Sequence, residues 1–287
     1  MEWDLRALRH LVAAAETGTF TDAAIELGVS QAAVSRTIAG LEESVGARLM
    51  LRTRRGCEPT ALGRRVLPQA RRVLAEAARF DEMIRSEEST LRLGYAWAAA
   101  GRHTTPLLRG WARDHPAVTL RLVRHNTVTA GLDEGLCDAA IVRTPLDERR
   151  FEAVSVGLER RMVAFAADDA DWARRRTIRM AEIAARPVLV DTRTGTTVPE
   201  LWPEGARPTV LSRTSDVEEW LDAIAAGAGI GTTSEATAAH NPRPGVAYRP
   251  VSDGPAISVR LAWRRDDPPP GLSGLVTALT ALYRAPA

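Results

Sequence analysis

The sequence predicts a mixed α/β protein in three parts: an N-terminal all-α winged helix-turn-helix unit, a long linker helix, and a C-terminal α/β region folded as two lobes. Three observations carry this. Residues 20–37, FTDAAIELGVSQAAVSRT, hold two short helical patterns parted by a glycine. Residues 61–86 contain no helix breaker except Pro68. From Leu91 onward, short apolar strands alternate with amphipathic helices, the mark of a parallel sheet. At 287 residues the chain exceeds what one core usually organises, and 45% apolar content is ample for burial.

Leu5, Leu8, Leu11, Val12 and Ala15 form the stripe of a scaffold helix. Thr21 then offers a hydroxyl cap, Asp22 suits the positive end of the next helix, and Ala23, Ala24 and Leu27 face inward until Gly28 ends it. Val29 is expected to plug the turn. Ser30 caps a second helix with Val34, Ile38 and Leu41 inward and Gln31, Ser35 and Arg36 outward, while small Ala32 and Ala33 allow close backbone approach. An α-helix fits the DNA major groove, where an amide pairs with adenine and a guanidinium with guanine or phosphate. Taken alone, the same residues also fit an ordinary helical hairpin with a polar face.

Residues 49–60 are short, Arg-rich and broken by Gly56 and Pro59, which reads as a β-wing. Arg48, Arg52, Arg54, Arg55, Arg64 and Arg65 crowd this segment with Glu58 as almost the only opposing charge, a stripe suited to phosphates. The net charge of +2 carries no such message, and all 38 basic residues are arginine, which reflects codon usage across the whole chain. In the linker, Val66, Ala70, Val73, Ala77, Phe80 and Ile84 make a heptad seam that needs a second helix, so this helix is expected to dimerise. Its length, about 38 Å at 1.5 Å per residue, could space two heads along one DNA face. A long helix lying on its own domain is the alternative.

The polar run 86–90 marks a hinge, after which strand 91–95, helix 106–114 capped by Thr105, strand 119–124, helix 130–135 and strand 139–142 build one α/β lobe. Strands 162–165 and 188–190, helix 216–226 and strand 230–232 build another, and strand 259–263 with helix 272–283 close the chain.

The N-terminal run Ala15-Glu16-Thr17-Gly18-Thr19-Phe20, with Leu41-Glu42, Gly46, Leu49, Arg52, Thr60 and Gly63, resembles the signature of LysR-type transcriptional regulators. Met50 stands where that family usually has Phe, and Pro59 where it usually has Leu. Looser matches at Gly94, His115-Pro116, Gly135 with Asp138, Ala225 to Gly231 and Trp263-Arg264 are similar to the family's effector domain, so the resemblance spans the chain. It implies a two-lobed effector domain like that of periplasmic binding proteins, crossed twice by the chain. The parts would be a DNA-binding domain at 1–60, a linker helix at 61–88, lobe I at 89–158 plus 258–287, and lobe II at 159–257. It also implies a homodimer or homotetramer on a pseudo-palindromic operator, a small-molecule effector, and an influence on RNA polymerase, with no cofactor.

Candidate DNA contacts are Thr21, Ser30, Gln31, Ala32, Ser35, Arg36, Arg52, Arg54 and Arg55. Ligands of two-lobed sheets bind beyond the carboxyl ends of strands, which selects Trp97, Ala98, His125, Asn126, Arg143, Thr192, Arg193, Thr194 and Thr232 as effector contacts. The arginines and hydroxyls suit an anion, and Trp97 suits an aromatic. Ala98 replaces the hydroxyl usual in related regulators. The Thr-rich run reads equally as a polar loop, and His125 as a side chain satisfying a carbonyl.

An enzyme is the rival class, but the sequence has no G-x-S-x-G, H-E-x-x-H or P-loop motif. The glycines of 225–231 follow a helix and precede a strand, the reverse of a dinucleotide fingerprint. Cys57 and Cys137 lie apart, which suggests neither a disulfide framework nor a zinc site, and only Cys137 falls in the effector half, against a peroxide-sensing pair. No apolar run is long enough to span a membrane and no signal peptide precedes the first helix, so a periplasmic receptor is disfavoured and a cytoplasmic location expected.

Overall fold

Asp4 opens the first helix, α1 (Leu5–Thr17), by accepting from the Ala7 amide at 2.8 Å, and Gly18 closes it in the left-handed region. The computed structural model describes residues 3–53, 56–85, 89–191, 195–214 and 216–285. It divides into two compact units, residues 1–87 with 133–136 and residues 88–132 with 137–287.

In the N-terminal unit α2 (Phe20–Leu27) is capped by Thr19 and not by Thr21. The Gly18 turn leaves Thr19 extended, the conformation a cap needs, and its hydroxyl accepts from the Asp22 amide at 2.9 Å. Gly28 ends α2, and the turn closes through the Val29 amide on the Ala24 carbonyl; the Val29 side chain is exposed and plugs nothing. α3 (Gln31–Val45) follows, then strands β1 (Met50–Thr53) and β2 (Gly56–Pro59), an antiparallel wing pairing Arg52 with Cys57. Glu42 on α3 aims the wing by accepting from the Leu49 and Met50 amides at 2.7 and 2.9 Å. Gly56 of the wing and Gly63 of the signature have steric reasons. A Cβ on Gly56 would meet the Gly18 carbonyl at 2.3 Å, and one on Gly63 the Leu49 carbonyl at 2.1 Å. Leu8, Leu11, Val34, Ile38, Leu41 and Met50 form the core.

Helix α4 (Ala61–Arg85) runs 25 residues with Pro68 inside it. The predicted seam divides. Ala70 is buried in the N-terminal core with Val66 packed against it, whereas Val73, Phe80 and Ile84 are 40%, 64% and 69% exposed. The reason is that α4 carries Leu62, Leu67 and Leu74 onto that core, and Val66 and Ala70 lie on the same side.

The C-terminal unit begins with β3 (Ser89–Tyr95), a 3-10 turn at Gly101–His103, α5 (Thr104–Asp114), β4 (Val118–Arg124), β5 (Ala139–Val142) and β6 (Phe151–Glu159). Helix α5 starts one residue before the expected Thr105 cap, continuing the 3-10 turn, and Thr104 accepts from the Ala100 amide at 3.1 Å. The helix expected at 130–135 is a run of turns. Ala130, Gly131 and Gly135 sit at φ 51°, 96° and 69°, which no right-handed helix contains.

Residues 161–250 form β7 (Arg161–Ala166), α6 (Met180–Ala184), β8 (Val188–Asp191), β9 (Val210–Thr214), α7 (Val217–Ala225), β10 (Gly231–Ser234), α8 (Glu235–His240) and β11 (Val246–Pro250). β12 (Ile257–Arg264) and α9 (Leu272–Arg284) end the chain. One sheet has the order β4-β3-β5-β12-β6 and defines lobe I. β3 is parallel to β4 and β5, and β12 is antiparallel to β5 and β6. Lobe II holds the antiparallel sheet β10-β7-β11 and the parallel pair β8-β9. The chain therefore passes from β6 to β7 into lobe II and returns through β12. Trp111, Leu93, Leu261 and Leu275 fill lobe I, and Phe165, Ile178, Ile183 and Trp220 fill lobe II.

Candidate functional site

The polar face of α3 is presented because its other face is locked. Val34, Ile38 and Leu41 are at most 3% exposed, and Ser30 caps the helix by accepting from the Ala33 amide at 3.2 Å. Gln31, Ala32 and Arg36 lie on the exposed side, with Thr21 exposed on the first turn of α2. Ser35 is half-buried and accepts from the Arg52 guanidinium, whose carbon lies 4.9 Å over the Phe20 ring. This joins the wing to both helices while leaving other N–H groups of Arg52 outward. Arg48, Arg64 and Arg65 are exposed, and Arg64 donates to the Pro59 carbonyl at 2.8 Å. Arg54 and Arg55 fall outside the described residues. Cys57 is buried and its thiol donates to the Ala14 carbonyl, with burial raising its pKa, so it is held as an unreactive thiol.

Between the lobes of the C-terminal unit lies a cleft of about 50 Å³, room for a few waters or a small polar molecule. Eight hydroxyl residues line it, Thr127, Thr144, Thr196, Thr197, Thr232, Thr233, Ser234 and Thr237, together with the Asp191 carboxylate and apolar side chains such as Ile141, Val142 and Leu189. Trp97 and Trp220 add a tilted aromatic pair at 5.3 Å, and the Trp97 Nε1 donor is buried with no hydrogen-bond partner among the described residues. Thr232 and Thr197 hydroxyls meet at 2.6 Å.

Of the expected effector contacts, Trp97, Arg143 and Thr232 line this cleft. Ala98, His125 and Asn126 do not: Ala98 is buried, and the His125 amide continues the strand pattern by donating to the Tyr95 carbonyl at 2.9 Å. Thr192, Arg193 and Thr194 fall outside the described residues.

Arg143 reaches the cleft but is not the available cation its sequence position suggested. Its Nε and Nη2 clasp Glu159 at 2.8 Å each, Nη1 donates to the Ala98 carbonyl at 2.8 Å, and Nη2 also donates to the Ala99 carbonyl at 2.7 Å. Tyr283 donates to the same carboxylate at 2.7 Å. Burial works against the Glu159 charge, yet the Arg143 guanidinium, with hydrogen bonds from Ser234 and Tyr283, holds the carboxyl below its ordinary range. Burial likewise opposes the Arg143 charge, and Glu159 more than offsets it. Arg143 follows β5, and Glu159 and Tyr283 belong to β6 and α9 of lobe I, whereas Ser234 belongs to β10 of lobe II, so the cluster is a latch between lobes through Ser234.

Glu159, Asp191, Ser234 and Trp220 had no place among the expected contacts. Asp191 ends strand β8 and obeys the same carboxyl-end rule as the others; Glu159 and Trp220 carry no local signal. Arg161, two residues after Glu159, is 5% exposed and among the described residues donates only to the Pro255 and Thr196 carbonyls, at 3.3 and 3.1 Å. Burial pulls its pKa down to about 10. Among the described residues no group of His, Cys, Asp and Glu could hold a metal ion, and no helix is long and apolar enough to cross a membrane.

Comparison with known proteins covers both units. The LysR substrate binding domain matches residues 85–284, and the bacterial regulatory helix-turn-helix protein of the lysR family matches residues 5–64. HTH-type transcriptional regulator IlvR of Caulobacter vibrioides is 28% identical, with 99% of each chain covered. The HTH-type regulator YnfL of Escherichia coli K12 is 35% identical over 68% of each chain. In fold, the chain is similar to CbnR, a LysR family transcriptional regulator, with a TM-score of 0.68 at 23% identity, covering 98% of this chain and 100% of that one. Full-length CbnR complexed with its target DNA gives 0.69 at 23% identity with the same coverage.

Proposed function

The chain belongs to the LysR family of transcriptional regulators, and from that premise we propose which of its residues read DNA and which answer a metabolite. As a member, it is a DNA-binding regulator with a C-terminal domain for a small-molecule effector, and no enzyme. In our reading Gln31 and Arg36 contact base edges in a major groove, Ala32 permits the approach, and Thr21, Ser30, Ser35, Arg52, Arg54 and Arg55 position the head on phosphates. The observation that carries this is the division of α3, with one face locked in the core and the other exposed beside the wing.

Two heads would be joined through Val73, Phe80 and Ile84 of α4, giving a dimer, or a tetramer as a pair of dimers, on a pseudo-palindromic operator in the cytoplasm. The effector would sit between the lobes against Trp97, Trp220 and the threonine wall. Lobe movement about the Arg143–Glu159 latch would then alter head placement and recruit or release RNA polymerase.

The test pairs a thermal-melt screen with DNA binding. Full-length protein is melted against organic acids, aromatic carboxylates, amino acids and phosphorylated metabolites, and each hit is titrated into protein bound to a duplex selected from a random pool. A compound that raises Tm and changes duplex affinity, both lost in Trp97→Ala, supports the reading. Hits unaffected by that substitution would move the effector out of the cleft.

A further inference from the structure

Among the described residues, Arg161 is a buried cation with no carboxylate within 4 Å. Three other arginines of this unit whose side chains are largely withdrawn from water each have one: Arg143 holds Glu159, Arg92 holds Asp138 at 2.9 Å, and Arg264 holds Asp266 at 2.7 Å. A guanidinium has five N–H donors, and Arg161 uses two of them on carbonyls. The other three make no hydrogen bond among the described residues. Taking such a cation out of water without a counter-charge is costly, so the position calls for an anion from outside the chain.

Its place in the fold says which one. Arg161 opens β7 opposite Ser234 of β10, and one of its two carbonyl partners belongs to Thr196. Ser234 and Thr196 both line the interlobe cleft, so the guanidinium lies directly behind the cleft wall. Arg143, the cation facing the cleft, has its guanidinium clasped by Glu159 and two carbonyls. We propose that Arg161, through the N–H groups left over from Thr196 and Pro255, holds the anionic group of the small molecule that occupies this cleft. The assignment rests on the cleft being the effector site. The planar fork suits a carboxylate or a phosphate bidentately. Binding there also tugs on Thr196, which couples the anion to the cleft wall.

The test uses full-length wild type, Arg161→Met and Arg161→Lys, melted in inorganic phosphate, acetate or benzoate against chloride at matched ionic strength. An anion that binds the folded chain raises its Tm. The expected result is a rise of several degrees in wild type, at least part of it kept in Arg161→Lys and none in Arg161→Met. Protection by phosphate alone assigns a phosphorylated ligand, and protection by the carboxylates alone an organic acid. If Arg161→Met does not fold, Arg161→Gln, which retains donors for both carbonyls, serves in its place. No anion protection of wild type, or equal protection of the neutral variant, overturns the proposal and leaves Arg161 as a clip between two loops. An uncharged compound that binds wild type and Arg161→Met alike, while Trp97→Ala abolishes it, would sink the Arg161 assignment and leave the cleft reading standing.

Discussion

Arg36 on the head and Arg143 in the cleft were picked from the sequence on the same ground, as arginines in places where a ligand is met, and the structure treats them oppositely. Arg36 is exposed on α3 and makes no hydrogen bond among the described residues. Arg143 donates to a carboxylate and two carbonyls, and its charge is spent inside the protein. Residue type and position select candidates for binding. Availability is decided by what else reaches the side chain.

The largest effect should come from breaking the occupied partner. Glu159→Ala strands Arg143 among carbonyls and should cost about 3–5 kcal/mol of the C-terminal unit's stability, read by urea unfolding. A loss below about 1 kcal/mol would mean that Arg143 is open to solvent after all and would erase the contrast with Arg36. Acid should sharpen the same point. Glu159 titrates lower in the folded chain than its ordinary 4.5, so its contribution is complete above that value and disappears as pH falls through the lowered folded one. Glu159→Gln should flatten this part of the acid limb of stability against pH.

On the head the effects are smaller and local. Ser30→Ala removes the α3 cap and should cost about 1 kcal/mol, seen as a lower Tm of the N-terminal unit. On the proposed phosphate role, Arg52→Ala should weaken all duplexes by a similar small factor and lower the salt slope of log K by about 1. A sequence-dependent loss would show that Arg52 also takes part in base readout.

The two regions were also unequally legible. In the head, the decisive interactions span a few residues: Ser30 caps Ala33, Gly28 ends α2, and Val34, Ile38 and Leu41 repeat with the helix. The errors there were of register, Thr19 capping where Thr21 was expected and Val29 turning outward. In the effector unit, β6, β9 and β11 went unread because they alternate or are partly exposed, and residues 130–135 look helical until the left-handed backbone at Ala130 and Gly131 is known. The cleft was least legible. Arg143 finds Glu159 16 residues away and Ala98 45 residues away, through strands and crossings that no local pattern encodes. Carboxyl-end placement still put Trp97 and Thr232 in the wall.

The most direct measurement is the affinity of Arg36→Ala and Gln31→Ala for a selected operator and for a scrambled duplex, at physiological salt. The expected result is a loss of about 1–3 kcal/mol on the operator with relaxed base preference, and little change on the scrambled duplex. Equal affinities for wild type and both variants on the operator would contradict it, and would take the outer face of α3 out of base recognition.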